Sequence, residues 1–311
     1  MRALIKYGEM PGETGLRDIP EPSCGPFELK IEVSCCAVCA TDLHIRQGAY
    51  PWETGVPLGH EFCGTVIECG AGVKRFHEGD RVAACMNGGF AKYVVKSQDD
   101  FVFLLPPEIS DEEGALLEPL CAAANSVWNR ALLQPGDEVL VAGPGLIGLF
   151  VLQIAHLYHA HVMVSGTSEA RLKAASELGA ERTVHIGSED LVQASLRFSE
   201  GRGMDVVFEC SGSAAAFESG LDCLRYQGQL VELGIMRNTF PVDMKKIVYH
   251  NLSLSGSIAY DRETWERVIR LVKRKKIEIR RFISGFYSLE EWEEAFCRSE
   301  RHEGYRFLIR P

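Results

Sequence analysis

Two short motifs near the N-terminus, Cys39-Ala40-Thr41-Asp42-Leu43-His44 and Gly59-His60-Glu61, hold between them a thiol, two imidazoles, a hydroxyl and two carboxylates within 23 positions. A thiolate and neutral imidazoles are side chains from which zinc sites are built, and a hydroxyl close to an imidazole can pass a proton. Taken singly, each has a plainer reading. Cys39, close to Cys35 and Cys36, could be a small buried thiol. His60 could be a hydrogen-bonded loop histidine, Glu118 a surface helix acid, and His44 a residue bonded only to backbone.

A second stretch implies a different chemistry. Gly143-Pro144-Gly145-Leu146-Ile147-Gly148 follows the apolar run Glu138-Val139-Leu140-Val141-Ala142 and opens an apolar segment reaching about His159. With a further strand expected at His161 to Ser165, this is a βαβ unit carrying the G-x-G-x-x-G spacing of a dinucleotide site. Gly143 permits the tight turn, Gly145 lets backbone approach a pyrophosphate, and Gly148 allows close packing of helix on strand. Leu146 and Ile147 open the helix, whose free amides and positive dipole end suit an anion. The alternative is a glycine-rich turn with no ligand.

The end of the second strand discriminates between cofactors, because an Asp or Glu there accepts hydrogen bonds from the adenosine ribose of NAD. Here the run is Ser165-Gly166-Thr167-Ser168-Glu169-Ala170-Arg171. No acid ends the strand, Gly166, Thr167 and Ser168 line the turn, and Arg171 could face a 2′-phosphate or simply solvent. NADP is expected over NAD, with Glu169 the residue that could reverse this by reaching the ribose.

The elements that must carry these groups follow from pattern. The first 120 residues read as short strands (27–34, 65–69, 80–83, 91–95) broken by Gly and Pro, a small barrel or sandwich with Cys39 to Glu61 in its loops. A helix is expected over 111–130, interrupted at Pro119. Strand and helix then alternate: helices at 169–178, 191–198 and 214–226, strands at 182–186, 205–209, 229–233 and 252–257, which means a doubly wound parallel sheet. A charged helix (263–276) and a mixed tail ending in a strand (305–309) finish the chain.

At 311 residues two domains are the default. The formal charge of −10, from 43 acidic and 33 basic side chains, without long blocks of either sign, argues against a nucleic-acid partner or a membrane surface. No stretch approaches the roughly 18 apolar residues of a membrane span, and no signal-peptide pattern opens the sequence, so a cytoplasmic protein is expected. Eleven cysteines, an odd number scattered through a large chain, should be mostly reduced.

Taken together, C-A-T-D-L-H, G-H-E, Leu117-Glu118-Pro119-Leu120 and V-A-G-P-G-L-I-G in this order resemble the zinc-dependent medium-chain dehydrogenase/reductase superfamily, and within it the polyol (sorbitol-type) and threonine dehydrogenase branch. The resemblance covers essentially the whole chain. It implies a GroES-like catalytic domain (1–122), a Rossmann NAD(P)-binding domain (123–261), a C-terminal return to the catalytic domain (262–311), and a cleft between the domains. By resemblance Cys39, His60 and Glu118 are the catalytic zinc ligands, Glu118 lying 25 residues before Gly143 as in the family. Glu61 is similar to the exchanging or neighbouring carboxylate, and Thr41 and His44 look like the proton relay. One thiolate, one imidazole and one carboxylate leave a fourth position open, the pattern of catalytic zinc, which would ease loss of an alcohol proton and of hydride to nicotinamide.

Two departures from the family stand out. Ala40 replaces a usual glycine, and the lobe with four close cysteines that many members carry is missing, since Gly79-Asp80-Arg81-Val82-Ala83-Ala84-Cys85 passes almost at once to Gly88-Gly89-Phe90. One zinc per chain is therefore expected. The substrate should be a small alcohol or ketone, a secondary alcohol within a polyol, sugar or cyclitol-like molecule, with Tyr50, Trp52 and Asn87 as candidate contacts that could equally be packing. A homodimer or homotetramer is expected. The rival readings are a metal-free quinone or enone reductase of the same fold and a non-enzymatic nucleotide-binding protein.

Overall fold

The computed structural model describes residues 1–236 and 238–311. Contacts divide the chain into two units, Met1–Glu118 with Trp265–Pro311, and Pro119–Thr264.

The first unit opens with β1 (Arg2–Lys6), β2 (Thr14–Asp18), β3 (Glu28–Ala37), α1 (Ala40–Arg46), β4 (Glu61–Cys69), β5 (Arg81–Ala84), β6 (Tyr93–Ser97), β7 (Val102–Leu104) and α2 (Asp111–Ala115). Next, α3 (Leu117–Asn125) leads to β8 (Glu138–Ala142), α4 (Leu146–His156), β9 (His161–Gly166), α5 (Glu169–Glu177), β10 (Arg182–His185) and α6 (Leu191–Phe198). These are followed by β11 (Met204–Glu209), α7 (Ala214–Cys223), β12 (Leu224–Glu232), α8 (Met244–His250) and β13 (Ser253–Gly256). The chain returns to the first unit through α9 (Arg262–Lys273), β14 (Ile283–Ser288), α10 (Trp292–Glu300) and β15 (Arg306–Arg310).

In the first unit seven strands form a sheet ordered β14-β15-β3-β4-β5-β7, with β6 also on β3, and β1 and β2 make a separate antiparallel pair. The long strand β3 is the organiser, because it borders β4, β6 and β15. Its inward residues Leu29, Ile31 and Val33 join Phe62, Val82, Phe90, Phe296 and Phe307 in one buried cluster. The candidate ligands therefore sit on rigid elements: Cys39 just past the end of β3, and Glu61 at the start of β4.

The second unit has a six-stranded sheet ordered β10-β9-β8-β11-β12-β13, every neighbouring pair parallel. This is the Rossmann order, in which the strand sequence reverses between β8 and β11 and ligands bind outside the carboxyl ends there. Val139, Leu140 and Val141 are fully buried, as a strand covered on both faces requires.

Three expectations need correction. The stretch from Cys39 was expected in loops, yet Ala40–Arg46 is helical; Cys39 caps it in extended conformation, and the Cys39 amide donates to Asp42 Oδ2 at 2.9 Å. The helix expected over 111–130 breaks at Leu116, not at Pro119. Pro119 lies in the first turn of α3, where an absent N–H costs no helical hydrogen bond. Lastly, α7 stops at Cys223, and Leu224–Tyr226 belong to β12. Leu224 pairs with Met204, and the ladder resumes at Gln229 after Gln227, whose φ of 60° interrupts it. None of the described helices is long and apolar enough to cross a membrane.

Candidate active site

Asp42 and Arg306 organise the first-unit site around Cys39, His60 and Glu61. Asp42 is fully buried at the third position of α1, and while one oxygen takes the Cys39 amide, the other accepts the Gly59 amide at 3.2 Å. That second oxygen also stands 3.6 Å from His60 Nδ1, an electrostatic contact longer than an ordinary hydrogen bond. One carboxylate thus ties the helix carrying Cys39 to the segment carrying His60. Burial works to lower the His60 pKa, but the charges of Asp42 and Cys39 outweigh it and the net shift is well upward.

Glu61 is also fully buried. Its carboxylate takes a two-pronged contact from Arg306, Nε to Oε2 at 2.8 Å and Nη2 to Oε1 at 2.9 Å, and Nη2 also lies 3.6 Å from Cys39 Sγ. Desolvation opposes the guanidinium charge, yet Glu61, Cys39 and, more remotely, Glu118 keep the Arg306 pKa above its usual value. Burial and the Glu61 charge together push the Cys39 thiol up, with Arg306 and His60 acting against them.

The donor atoms of Cys39, His60 and Glu61 all lie within 4.8 Å of one another. Ligands of a tetrahedral zinc, at about 2.0–2.3 Å from the ion, stand about 3.3–3.8 Å apart, so this sulfur, nitrogen and oxygen set fits zinc after a closure of about 1 Å. Glu118 is not part of the group; it is the second residue of α3 and acts on the site through its charge on Arg306. Thr41 Oγ1 lies 3.8 Å from Cys39 Sγ. His44 shares a face of α1 with Thr41 and meets Tyr50 edge-on at 5.6 Å. Trp52 spends its indole N–H on the Val56 carbonyl at 3.1 Å, and the Asn87 carbonyl accepts from Lys96 at 2.7 Å.

In the second unit, Gly145 caps α4, and Leu146, Ile147 and Gly148 are its first three residues. The first helical hydrogen bond runs from the Leu149 amide to Gly145, so those three amides precede the ladder. Gly148 has no alternative, since a Cβ there would fall 2.1 Å from the Gly143 carbonyl. At Gly145 a Cβ would meet nothing within 4 Å, which leaves the backbone open to a pyrophosphate. Gly166 has a packing reason of its own: its Cβ would sit 2.4 Å from Pro144. Ser168 is the N-cap of α5 and accepts the Arg171 amide at 3.5 Å, while the Thr167 carbonyl accepts from His185 Nε2 at 2.9 Å.

The profile of the alcohol dehydrogenase GroES-like domain matches residues 25–107, and that of the zinc-binding dehydrogenase family matches residues 147–274. A sorbitol dehydrogenase of Halalkalibacterium halodurans is 31% identical over 343 aligned positions, covering 100% of this chain and 99% of that one. This chain belongs to the zinc-type medium-chain dehydrogenase/reductase superfamily. Its members include alcohol and polyol dehydrogenases, and the chain is an enzyme of that kind. A D-arabitol-phosphate dehydrogenase of Enterococcus avium is 32% identical, covering 95% of this chain and 93% of its own. Among solved structures, a proposed zinc-binding dehydrogenase of Sinorhizobium meliloti bound to NADP superposes with a TM-score of 0.92 at 28% identity, covering 100% and 99% of the two chains. The sorbitol dehydrogenase alignment is longer than this 311-residue dehydrogenase, so the relative carries residues with no counterpart here.

Two site residues, Asp42 and Arg306, escaped the reading of the sequence. Asp42 had a signal, its position three residues after Cys39, the spacing of a capping box. Arg306 had none, being 245 residues from the carboxylate it holds.

Proposed function

We propose that this dehydrogenase exchanges a hydride between NADP and a secondary alcohol or its ketone, within a polyol, sugar or cyclitol-like molecule, using one zinc ion per chain. The observation that supports this most directly is the thiol, imidazole and carboxylate set of Cys39, His60 and Glu61 within 4.8 Å. We assign Cys39, His60 and Glu118 to hold the ion, Glu118 by its position in L-E-P-L, with Glu61 as the carboxylate able to exchange with it. Zinc bound there supplies the positive charge that makes an alcohol more acidic and its hydride easier to lose.

The chain's own groups do the rest. Asp42 orients His60, and Arg306 holds Glu61 in place while offsetting its charge. Thr41 Oγ1 takes the substrate's hydroxyl proton as it passes its own on through the cofactor ribose, and His44, further along α1, delivers a proton to solvent. The amides of residues 146–148 hold the pyrophosphate. Preference for NADP is supported by the absence of an acid at Gly166, by Thr167, Ser168 and Arg171, and by the NADP-bound relative. Self-association into a homodimer or homotetramer is supported by exposed Met244, Val248 and Tyr249 on α8, the helix that packs on β12 and leads into the edge strand β13. A cytoplasmic setting suits eleven cysteines with no disulfide among them.

The test is a panel of polyols and simple secondary alcohols run with NAD and NADP alongside metal analysis. One zinc per chain, activity lost on chelation and restored by zinc, and a lower KM for NADP are expected. Turnover that survives exhaustive chelation would sink the zinc mechanism, and a clear preference for NAD would sink the cofactor assignment.

A further inference from the structure

His185 ends β10 directly opposite Gly166, and its ring is fixed at both nitrogens. Nε2 lies 2.9 Å from the Thr167 carbonyl, which can only accept, and Nδ1 lies 3.2 Å from the Gly187 amide, which can only donate. The proton is therefore on Nε2 and the lone pair on Nδ1. A third tie, from the Ile186 amide to the Gly166 carbonyl at 3.1 Å, fastens the same two strand ends.

The Thr167–Ser168 peptide is trans, as are all the described peptide bonds, so its carbonyl and its N–H point in opposite directions. His185 draws that carbonyl toward β10. The Ser168 N–H is therefore turned away from the His185 ring, and in a sheet ordered β10-β9-β8 the turn after β9 has β8 and its Gly143–Gly148 loop on the side away from β10. That is the side from which an adenosine ribose on the dinucleotide loop would present its 2′ substituent. Ser168 is also the N-cap of α5, so the positive end of a nine-residue helix begins at the same residue.

We propose that His185 is a positioning residue for the 2′-phosphate of NADP: by clasping the Thr167 carbonyl it aims the Ser168 amide and the start of α5 at the phosphate, without touching the cofactor itself. This rests on the NADP reading above, and it names the residue that makes the turn at Gly166 to Ser168 competent for it. Arg171 supplies charge, and His185 supplies direction.

The test is calorimetric titration of the full-length, zinc-loaded enzyme with adenosine 2′,5′-bisphosphate and adenosine 5′-monophosphate, which differ only in the 2′-phosphate. His185→Ala and His185→Phe, the second keeping ring volume without a donor, should each lose about tenfold in affinity for the bisphosphate and change by less than about twofold for the monophosphate. His185→Gln, whose amide can donate to the Thr167 carbonyl, should keep most of the preference. If the wild type prefers the bisphosphate and both donor-less variants keep its ratio, or if both nucleotides weaken equally, the proposal is overturned while NADP stands. A wild type that does not distinguish the two nucleotides removes the NADP assignment and this proposal together.

Discussion

The guanidinium of Arg306 occupies an unusual position for a cation, nearly buried and directly beside the sulfur and carboxylate that a metal would share. Two buried charges gain little from one another over well-packed apolar groups, but removing one alone leaves the other stranded at a cost of about 3–5 kcal/mol. Arg306→Met should therefore lower the stability of the metal-free protein by about that amount in urea denaturation, with a smaller loss when zinc is present to offset Glu61. The double variant Arg306→Met, Glu61→Leu should recover most of it. A single variant within about 1 kcal/mol of wild type would mean that the two side chains are not coupled. Arg306→Lys should rescue only in part, because an ammonium cannot reproduce the two-pronged contact. Cys39 and His60 were picked out of the sequence by their motifs and by resemblance, and the structure brings them together with Glu61. Arg306 was not, since charge compensation between distant strands leaves no local trace.

Among the elements, β11 and β12 carry the clearest pH signature. Glu209 and Glu232 stand opposite each other at the carboxyl ends of these strands. Glu209 accepts the amides of Ser211 at 2.8 Å and Gly212 at 2.9 Å as well as the Ser211 hydroxyl, and so holds the turn after β11. Neither oxygen of Glu232 has a hydrogen-bond partner, and burial, followed by the Glu209 carboxylate beside it, pushes its pKa up to about 9. Glu232 is therefore the protonated member of the pair at neutral pH. In that case the folded state binds a proton that the unfolded chain releases near the ordinary carboxylate range, so stability is greatest below that range and falls as pH rises toward about 9. Glu232→Gln, a permanent mimic of the protonated acid, should flatten the decline in melting temperature between pH 5 and 9. A slope unchanged from wild type would show that Glu232 is already ionised.

The same elements mark how far pattern reading reaches. The β8 to α4 segment was legible because everything that defines it is local: an apolar strand, three glycines and an apolar helix. α1 was read as loop because its seven residues are mixed and its cap is a cysteine, not one of the usual capping residues. At α7 the helical pattern of Ala and Leu runs on into Leu224, and only pairing with Met204 on β11 decides that this residue is strand.

For the molecule as a whole, the proposed metal site and the proposed dinucleotide site fall in different units. Cys39, His60, Glu61, Glu118 and Arg306 all belong to the first unit, and every residue of the dinucleotide loops belongs to the second. Anything that binds only the native state stabilises the part it binds. Hydrogen exchange should accordingly show zinc slowing β3, α1, β4 and β15, and NADP slowing the turns β8 to α4 and β9 to α5. Zinc protection spread evenly over the second unit would contradict a metal site confined to the first.

That first unit is discontinuous, and the pair between Glu61 and Arg306 spans 245 residues. During synthesis the ribosome makes Cys39, Asp42, His60 and Glu61 early, then the entire second unit, and only afterwards the guanidinium that balances them. For most of its life on the ribosome the half-made site holds its acids, thiol and imidazole with no arginine beside them, so the charge balance that Arg306 gives Glu61 is set only when the last strand is made.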